Sequence, residues 1–291
     1  ESAIIKLDDI LTNTEPRSKA YFRAALLKLT ISNNPKLNEI SRITAKLQDT
    51  PLSNDTELLF TLAMHEIKAG KRTLLDKIAK TEPAINRIAG KVLLSGARQN
   101  RGKDLNPLQA ELAASASIDS TGDDLCALFE NLINNKHYQS PVIYFAAGRA
   151  CAGKRPAKSA RYYLQSVSLS GKTKNICRGI PLTEAARRAA LLAYQASYTD
   201  PTKTPLALKA MQTYIDITGD NADKQIEYFY AALLSESGQN KKAQAIFKKI
   251  AKENSEFASE AGLELISSQA ASGTDDPAQY QDILNRLTNF I

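Results

Sequence analysis

The octapeptide GRACAGKR, Gly148 to Arg155, carries most of a phosphate-binding loop: a glycine, four residues, then Gly-Lys. In such a loop backbone N–H groups cradle the phosphates, the lysine reaches their outer oxygens, and a following Ser or Thr holds magnesium. Here Arg155 stands where the hydroxyl is required, and Pro156 follows at once. The chemistry also needs a strand before the loop and an acidic metal partner on a later strand. The run PVIYFAA could pass as the first strand, but no second apolar run ending in Asp follows it. A second near miss, SVSLSGKT, has Ser166 where the first glycine belongs. Two broken copies read as turns, and a nucleotide cofactor is not expected.

Other candidate chemistry is equally thin. His65 and His137 lie far apart, with no H-E-x-x-H pattern, and read as surface or helix-end histidines. No Gly-x-Ser-x-Gly elbow occurs. The pairs Asp8-Asp9, Asp123-Asp124 and Asp275-Asp276 read as helix starts, where carboxylates complement the helix dipole. Cys126, Cys151 and Cys177 form no C-x-x-C pair, so no zinc or redox motif is present. They are expected to be buried single thiols; a Cys151–Cys177 disulfide is the alternative and would require an oxidising compartment. The expectation is a protein without catalytic, cofactor or metal residues.

The elements that would position any site are helical. The chain has 291 residues, 43% of them hydrophobic and 24% charged, a composition ordinary for a globular protein. No apolar run approaches the ~18 residues of a membrane span. Apolar residues recur at spacings of three and four, as in Ile226, Phe229, Tyr230, Leu233, Leu234 and again in Ala243, Ile246, Phe247, Ile250. No strand alternation or hairpin turn signal stands out. Prolines such as Pro107, Pro141, Pro156 and Pro201 fall at breaks in the pattern, where a helix can start. Asn54-Asp55, Asp220 or Asn221, and Asp276 with Pro277 read as helix caps. About sixteen helices joined by short turns give antiparallel neighbours.

The Gly-Lys of GRACAGKR recurs. The tetrapeptide AGKR stands at Ala69–Arg72 and at Ala152–Arg155, each time with an alanine seven residues before the glycine, Ala63 and Ala146. In SESGQNKKAQAIF the same offset separates Ala231 from Gly238, and Ala243 and Phe247 follow. Small residues let paired helices approach, glycine ends the first helix in a left-handed conformation, and an aromatic fills the groove. Gly153 is thus expected to be a helix C-cap, and Gly148 and Ala152 helix contacts. The pattern resembles the tetratricopeptide and related helical-hairpin repeats. Its clearest unit is Ala231, Leu234, Gly238, Ala243 and Phe247. A second carries Ala146, Gly153, Ala160 and Tyr163 or Leu164, and a third Ala63, Gly70, Leu75 and Ala79. The early tryptophan position is empty throughout, the late proline is missing from the clearest unit, and unit spacing is irregular. The resemblance implies an all-α fold: a right-handed α-solenoid of antiparallel helix pairs, with degenerate tetratricopeptide-like repeats. It is expected to be one continuous domain over residues 1–291, with 277–291 a capping helix.

Charge gives the remaining signal. Net charge is +7, and the middle is basic while the segment after Asp216 is acidic. The residues expected to bind a partner are Arg149, Lys154, Arg155, Lys158, Arg161, Arg187 and Arg188, paired with carboxylates or other anionic groups. The expected partner is another protein with an acidic segment. Nucleic acid is disfavoured, because it calls for aromatics on an exposed face and helical spacing sends Tyr162 or Tyr163 inward. Two stretches, LLFTLAMHEIKAGKRTLLDKIAKTEP and CRGIPLTEAARRAALLAYQ, also resemble the flagellar-motility MotC family, with Pro181 to Arg188 as the shared helix start. That resemblance implies a bacterial periplasmic protein partnering the motor stator. The chain begins at Glu1 with no methionine and no signal peptide. Either a leader was removed, giving a periplasmic or otherwise exported protein, or the sequence starts internally, in which case a cytoplasmic one stays open.

Overall fold

The computed structural model describes residues 2–31, 37–171, 173, 175–177, 179–253, 255–271 and 285. Among them the chain is all-helical apart from one two-stranded ribbon, as the three-and-four spacing requires. It divides into two compact units, Glu1–Ala146 and Ala147–Ile291. The expected capping helix at 277–291, with Asp275, Asp276 and Pro277, lies outside the described residues save Asn285.

The first unit contains α1 (Ser2–Asn13), α2 (Lys19–Ile31), α3 (Leu37–Gln48), α4 (Thr56–Lys68), α5 (Thr73–Ile78), α6 (Ile85–Asn100), α7 (Pro107–Ala116) and α8 (Asp123–Asn134). Its core joins Phe22 and Leu29 of α2, Ile40 and Leu47 of α3, Leu58, Leu62 and Ile67 of α4, and Leu75 of α5. Asp55 caps α4 as expected, accepting the Leu58 N–H at 3.1 Å. Asp123 and Asp124 open α8, whereas Asp8 and Asp9 sit in the interior of α1 and are not a helix start. Asp8 instead pairs with Lys28 of α2 at 2.5 Å.

His65 is the largest departure in this unit. It stands in the last turn of α4 but is buried, 4% exposed. The Thr30 hydroxyl donates to the Leu26 carbonyl at 2.9 Å, so its contact with His65 Nε2 at 3.2 Å makes that nitrogen the donor. Nδ1 then faces the core unprotonated, with no partner among the described residues. Burial first, and the charge of Lys68 second, hold the imidazole below its ordinary pKa. His137 is exposed, in a turn with φ 54°.

α9 (Pro141–Cys151) runs through the division between the units. The run PVIYFAA is therefore helix rather than strand, which removes the element a phosphate loop requires. The second unit continues with α10 (Pro156–Ser170), β1 (Asn175–Cys177), β2 (Ile180–Pro181), α11 (Leu182–Thr199), α12 (Thr204–Thr218), α13 (Lys224–Glu236), α14 (Asn240–Ile250) and α15 (Ala258–Ala271). From α10 onward each helix packs on the next. The antiparallel ribbon β1–β2 was not expected; it is too short for alternation to show in the sequence. The cap of α13 is Asp223, which accepts the Gln225 N–H at 3.0 Å, and not Asp220 or Asn221, which lie in a 3-10 turn before it.

Most of the residues at the recurring offsets are buried. Ala63, Leu75, Ala160, Tyr163, Ala231, Ala243 and Phe247 are all at most 1% exposed. Gly238 and Gly70 adopt φ 76° and 81° and close equivalent turns. In one, Gly238 and Gln239 donate to the Ser235 and Leu234 carbonyls. In the other, Gly70 and Lys71 donate to those of Ile67 and Glu66. Gly153 does not follow, although it sits in the same tetrapeptide as Gly70: among the described residues it is absent from the positive-φ glycines. Pro156 supplies a reason. It disfavours compact ψ values in the residue before it, and Arg155 has ψ 62° where Arg72, preceding Thr73, has ψ 17°. The expectation of a left-handed cap at Gly153 is thus corrected. That of Gly148 as a helix contact holds. A Cβ there would meet three atoms of the Tyr163 ring at 3.0 Å, and its carbonyl accepts the Ser159 hydroxyl at 2.5 Å.

The cysteines also depart from expectation. Cys126 in α8 and Cys151 at the end of α9 are buried, but both are disulfide-bonded rather than free thiols.

Three outcomes follow for stability. Gly70→Ala and Gly238→Ala each lose about 1–2 kcal/mol, the cost of a left-handed side-chain-bearing residue. Gly153→Ala is neutral or gains up to about 1 kcal/mol. Gly148→Ala loses about 1–3 kcal/mol by overpacking Tyr163; denaturant midpoints measure all four. Because folding lowers the His65 pKa, the unfolded chain binds more protons below the ordinary value of about 6.5. Stability is therefore full above that pH and falls as pH drops through it towards the folded value. The melting temperature of the wild type should fall further between pH 7.5 and 5.5 than that of His65→Gln. Thiol titration of the denatured, unreduced protein should find one free thiol per chain, and three after reduction.

Candidate interaction surface

The seven basic residues singled out by charge do not form one free cluster. Lys154 and Arg155 lie in the turn before α10, Arg155 serving as its N-cap residue. Lys158 and Arg161 follow on α10, with the Lys158 ammonium 5.9 Å from the centre of the Tyr162 ring and Arg161 exposed. Arg187 and Arg188 stand in the second turn of α11 and carry internal ion pairs. Arg187 meets Asp223 at 3.1 Å, and Arg188 meets Glu184, one turn earlier, at 2.6 Å.

Arg149 and Arg188 are brought together around one buried phenol. Burial pushes the Tyr163 hydroxyl pKa up, while the charges of Arg188 and Arg149 pull the other way. The Arg188 guanidinium is held above its ordinary pKa despite burial, by the phenol of Tyr163 and the carboxylate of Glu184. Charge from α9 and α11 thus acts on one side chain of α10. Tyr162 and Tyr163 are both buried, so neither offers an exposed ring for a nucleic-acid base. As disulfide sulfurs, Cys126 and Cys151 have no thiolate to give a metal.

A different surface, not found from the sequence, lies where α13 packs beside α11. Tyr194 of α11 stacks on Phe229 of α13, centroids 4.3 Å apart and planes 8° apart. One turn on, Tyr198 is 85% exposed. Tyr228 of α13 stacks on Phe257, just before α15, at 5.6 Å, and lies 6.1 Å from Phe229. Apart from exposed Tyr198 these rings are half-buried: they pack on one another but keep an edge or face in water. Helical geometry explains the arrangement. On α13 the buried residues include Ile226, Tyr230, Ala231, Leu233 and Leu234, which leaves Tyr228, Phe229, Ala232 and Glu236 on the opposite side.

Acidic side chains border the rings. Burial raises the Tyr194 pKa first, and Glu236 and Tyr198 add to it. Burial likewise raises that of Tyr228, with Glu264 and Glu260 of α15 next. Glu236, Glu260 and Glu264 are exposed. None of the three is ion-paired among the described residues, although Asp220, Asp223, Glu227 and Glu253 of the same acidic segment are. The signal for this face was present as Tyr194 and Tyr198 four apart and Phe229 with Glu236 seven apart. The core claims aromatics at the same spacings, so the pattern alone does not single them out.

No family model, no curated protein and no solved structure matches this chain.

Proposed function

We propose that this chain is a non-catalytic scaffold or adaptor whose helical hairpins, arranged as degenerate tetratricopeptide-like repeats of right-handed solenoid type, hold another protein. The observation that carries the reading is the set of aromatic side chains which consecutive hairpins present together without absorbing into the core, Tyr194, Tyr198 and Phe229 foremost. Aromatic rings that stay partly wet on a rigid helical frame are the usual anchors of protein interfaces. The basic residues on α10 belong to the same reading as a contact for an acidic segment of the partner, with Arg161 the most accessible of them. No helix among the described residues is long and apolar enough to cross a membrane. The disulfide-bonded cysteines support an exported, oxidising location.

Capture of a partner from the source cells on the immobilised full chain tests the reading, with the bound protein quantified by mass spectrometry. One protein should be retained in near-stoichiometric amount. Lys158→Glu combined with Arg161→Glu should reduce its retention about tenfold if the basic helix takes part. Retention of nothing above a bare-resin control would remove the scaffold reading.

A further inference from the structure

Resting on the scaffold reading, we propose that the face shared by α11, α13 and the start of α15 binds a lysine- or arginine-rich segment of a partner protein. Its cations would lie over the Tyr and Phe rings and opposite Glu236, Glu260 and Glu264. The argument is one of complementarity. An aromatic face attracts a cation through its ring quadrupole, and the attraction grows as water is excluded. Tyr194, Phe229 and Tyr228 are fixed by stacking, so their rings are already in place and little conformational freedom is lost on binding. Tyr198 stands beside them with most of its ring in water, a poor position for an aromatic side chain.

The charge on the rim selects the partner. Lys224 and Lys249 satisfy the buried carboxylate of Glu227, at 2.7 and 3.2 Å, and so are committed inside the α13–α14 pair. Lys224 also takes Glu253 at 2.7 Å. Glu236, Glu260 and Glu264 remain beside the rings with no cation of the described residues against them. An acidic partner would meet repulsion here, and a neutral apolar one would leave three carboxylates unanswered. A cationic segment answers both the rings and the carboxylates. This surface is thus opposite in sign to the basic stretch of α10, and the two select different segments.

The test uses the full chain and two fluorescein-labelled dodecapeptides, four repeats of Arg-Pro-Leu and four of Glu-Pro-Leu, read by anisotropy at 50 mM and 300 mM salt. The arginine peptide should bind at least tenfold more tightly than the glutamate peptide, and its affinity should fall with salt. A variant combining Tyr198→Ala, Glu236→Gln, Glu260→Gln and Glu264→Gln should lose at least fivefold in that affinity. It should keep its circular dichroism and melting temperature, because all four side chains are exposed. Lys158→Glu with Arg161→Glu should leave arginine-peptide binding unweakened. Equal binding of the two peptides, or unchanged binding by the fourfold variant, overturns the proposal. So does a wild-type dimer in light scattering that the fourfold variant converts to monomer, since the face would then be covered by a second copy. Cell capture separates this inference from the scaffold reading. A partner kept by the fourfold variant but lost by the α10 variant leaves the scaffold standing and removes the cationic segment. Loss of the partner by the fourfold variant, together with the wild type's preference for the arginine peptide, supports both.

Discussion

How closely two helices can approach is the constraint on which the rest of the structure depends. Interaxial distance is set by the side chains at the contact, and this chain places small ones there. Ala185, Ala186, Ala189, Ala190 and Ala193 of α11 are fully buried. Gly148 of α9 meets the Tyr163 ring, and Gly90 of α6 leaves no room for a methyl group, since a Cβ would lie 2.2 Å from the Leu112 carbonyl oxygen. Such contacts bring backbones near enough for a side chain of one helix to reach the main chain of the next, as Ser159 does at Gly148. They also leave aromatics such as Tyr163 and Phe247 as the filling between helices.

Close packing puts polar groups in the interior, and each needs an answer. Glu66 of α4 is buried yet accepts the Leu74 N–H at 2.7 Å, serving the start of α5 where Arg72 makes no side-chain cap. Glu227 lies between two lysines. Hydrogen bonds to Glu227 and Glu253 hold the Lys224 pKa up even though its burial acts against the charge. His65 is met on one nitrogen only, which makes its environment sensitive to protonation. Charges spent on these internal tasks are not on offer at the surface.

That division explains the functional geometry. The basic stretch that dominates the sequence is partly consumed: Arg187 and Arg188 are ion-paired, and Arg149 and Arg188 converge on Tyr163. The acidic segment is partly consumed too: among the described residues Asp220, Asp223, Glu227 and Glu253 are ion-paired, whereas Glu236, Glu260 and Glu264 beside the aromatic face are not. Residual charge left after internal pairing, and not total charge, therefore marks the candidate surfaces.

The sequence by itself determined that the described chain is helical, because three-and-four spacing of apolar residues and prolines at helix starts are local properties that need no partner to read. It also located the small residues of one hairpin, since Ala231 and Ala243 are buried in the packed pair α13 and α14 and Gly238 turns between them. Local chemistry misled where a neighbour intervened: AGKR makes a left-handed turn before Thr73 and a different one before Pro156. Only the tertiary structure decided which side of a helix faces inward when both sides carry aromatics, as with Tyr162, Tyr163, Tyr194 and Tyr198. It alone decided which charges cancel, for Arg187 and Asp223 are 36 residues apart along the chain. Burial and ion pairing are properties of what lies across the space between helices, and a one-dimensional pattern carries the helices but not that space.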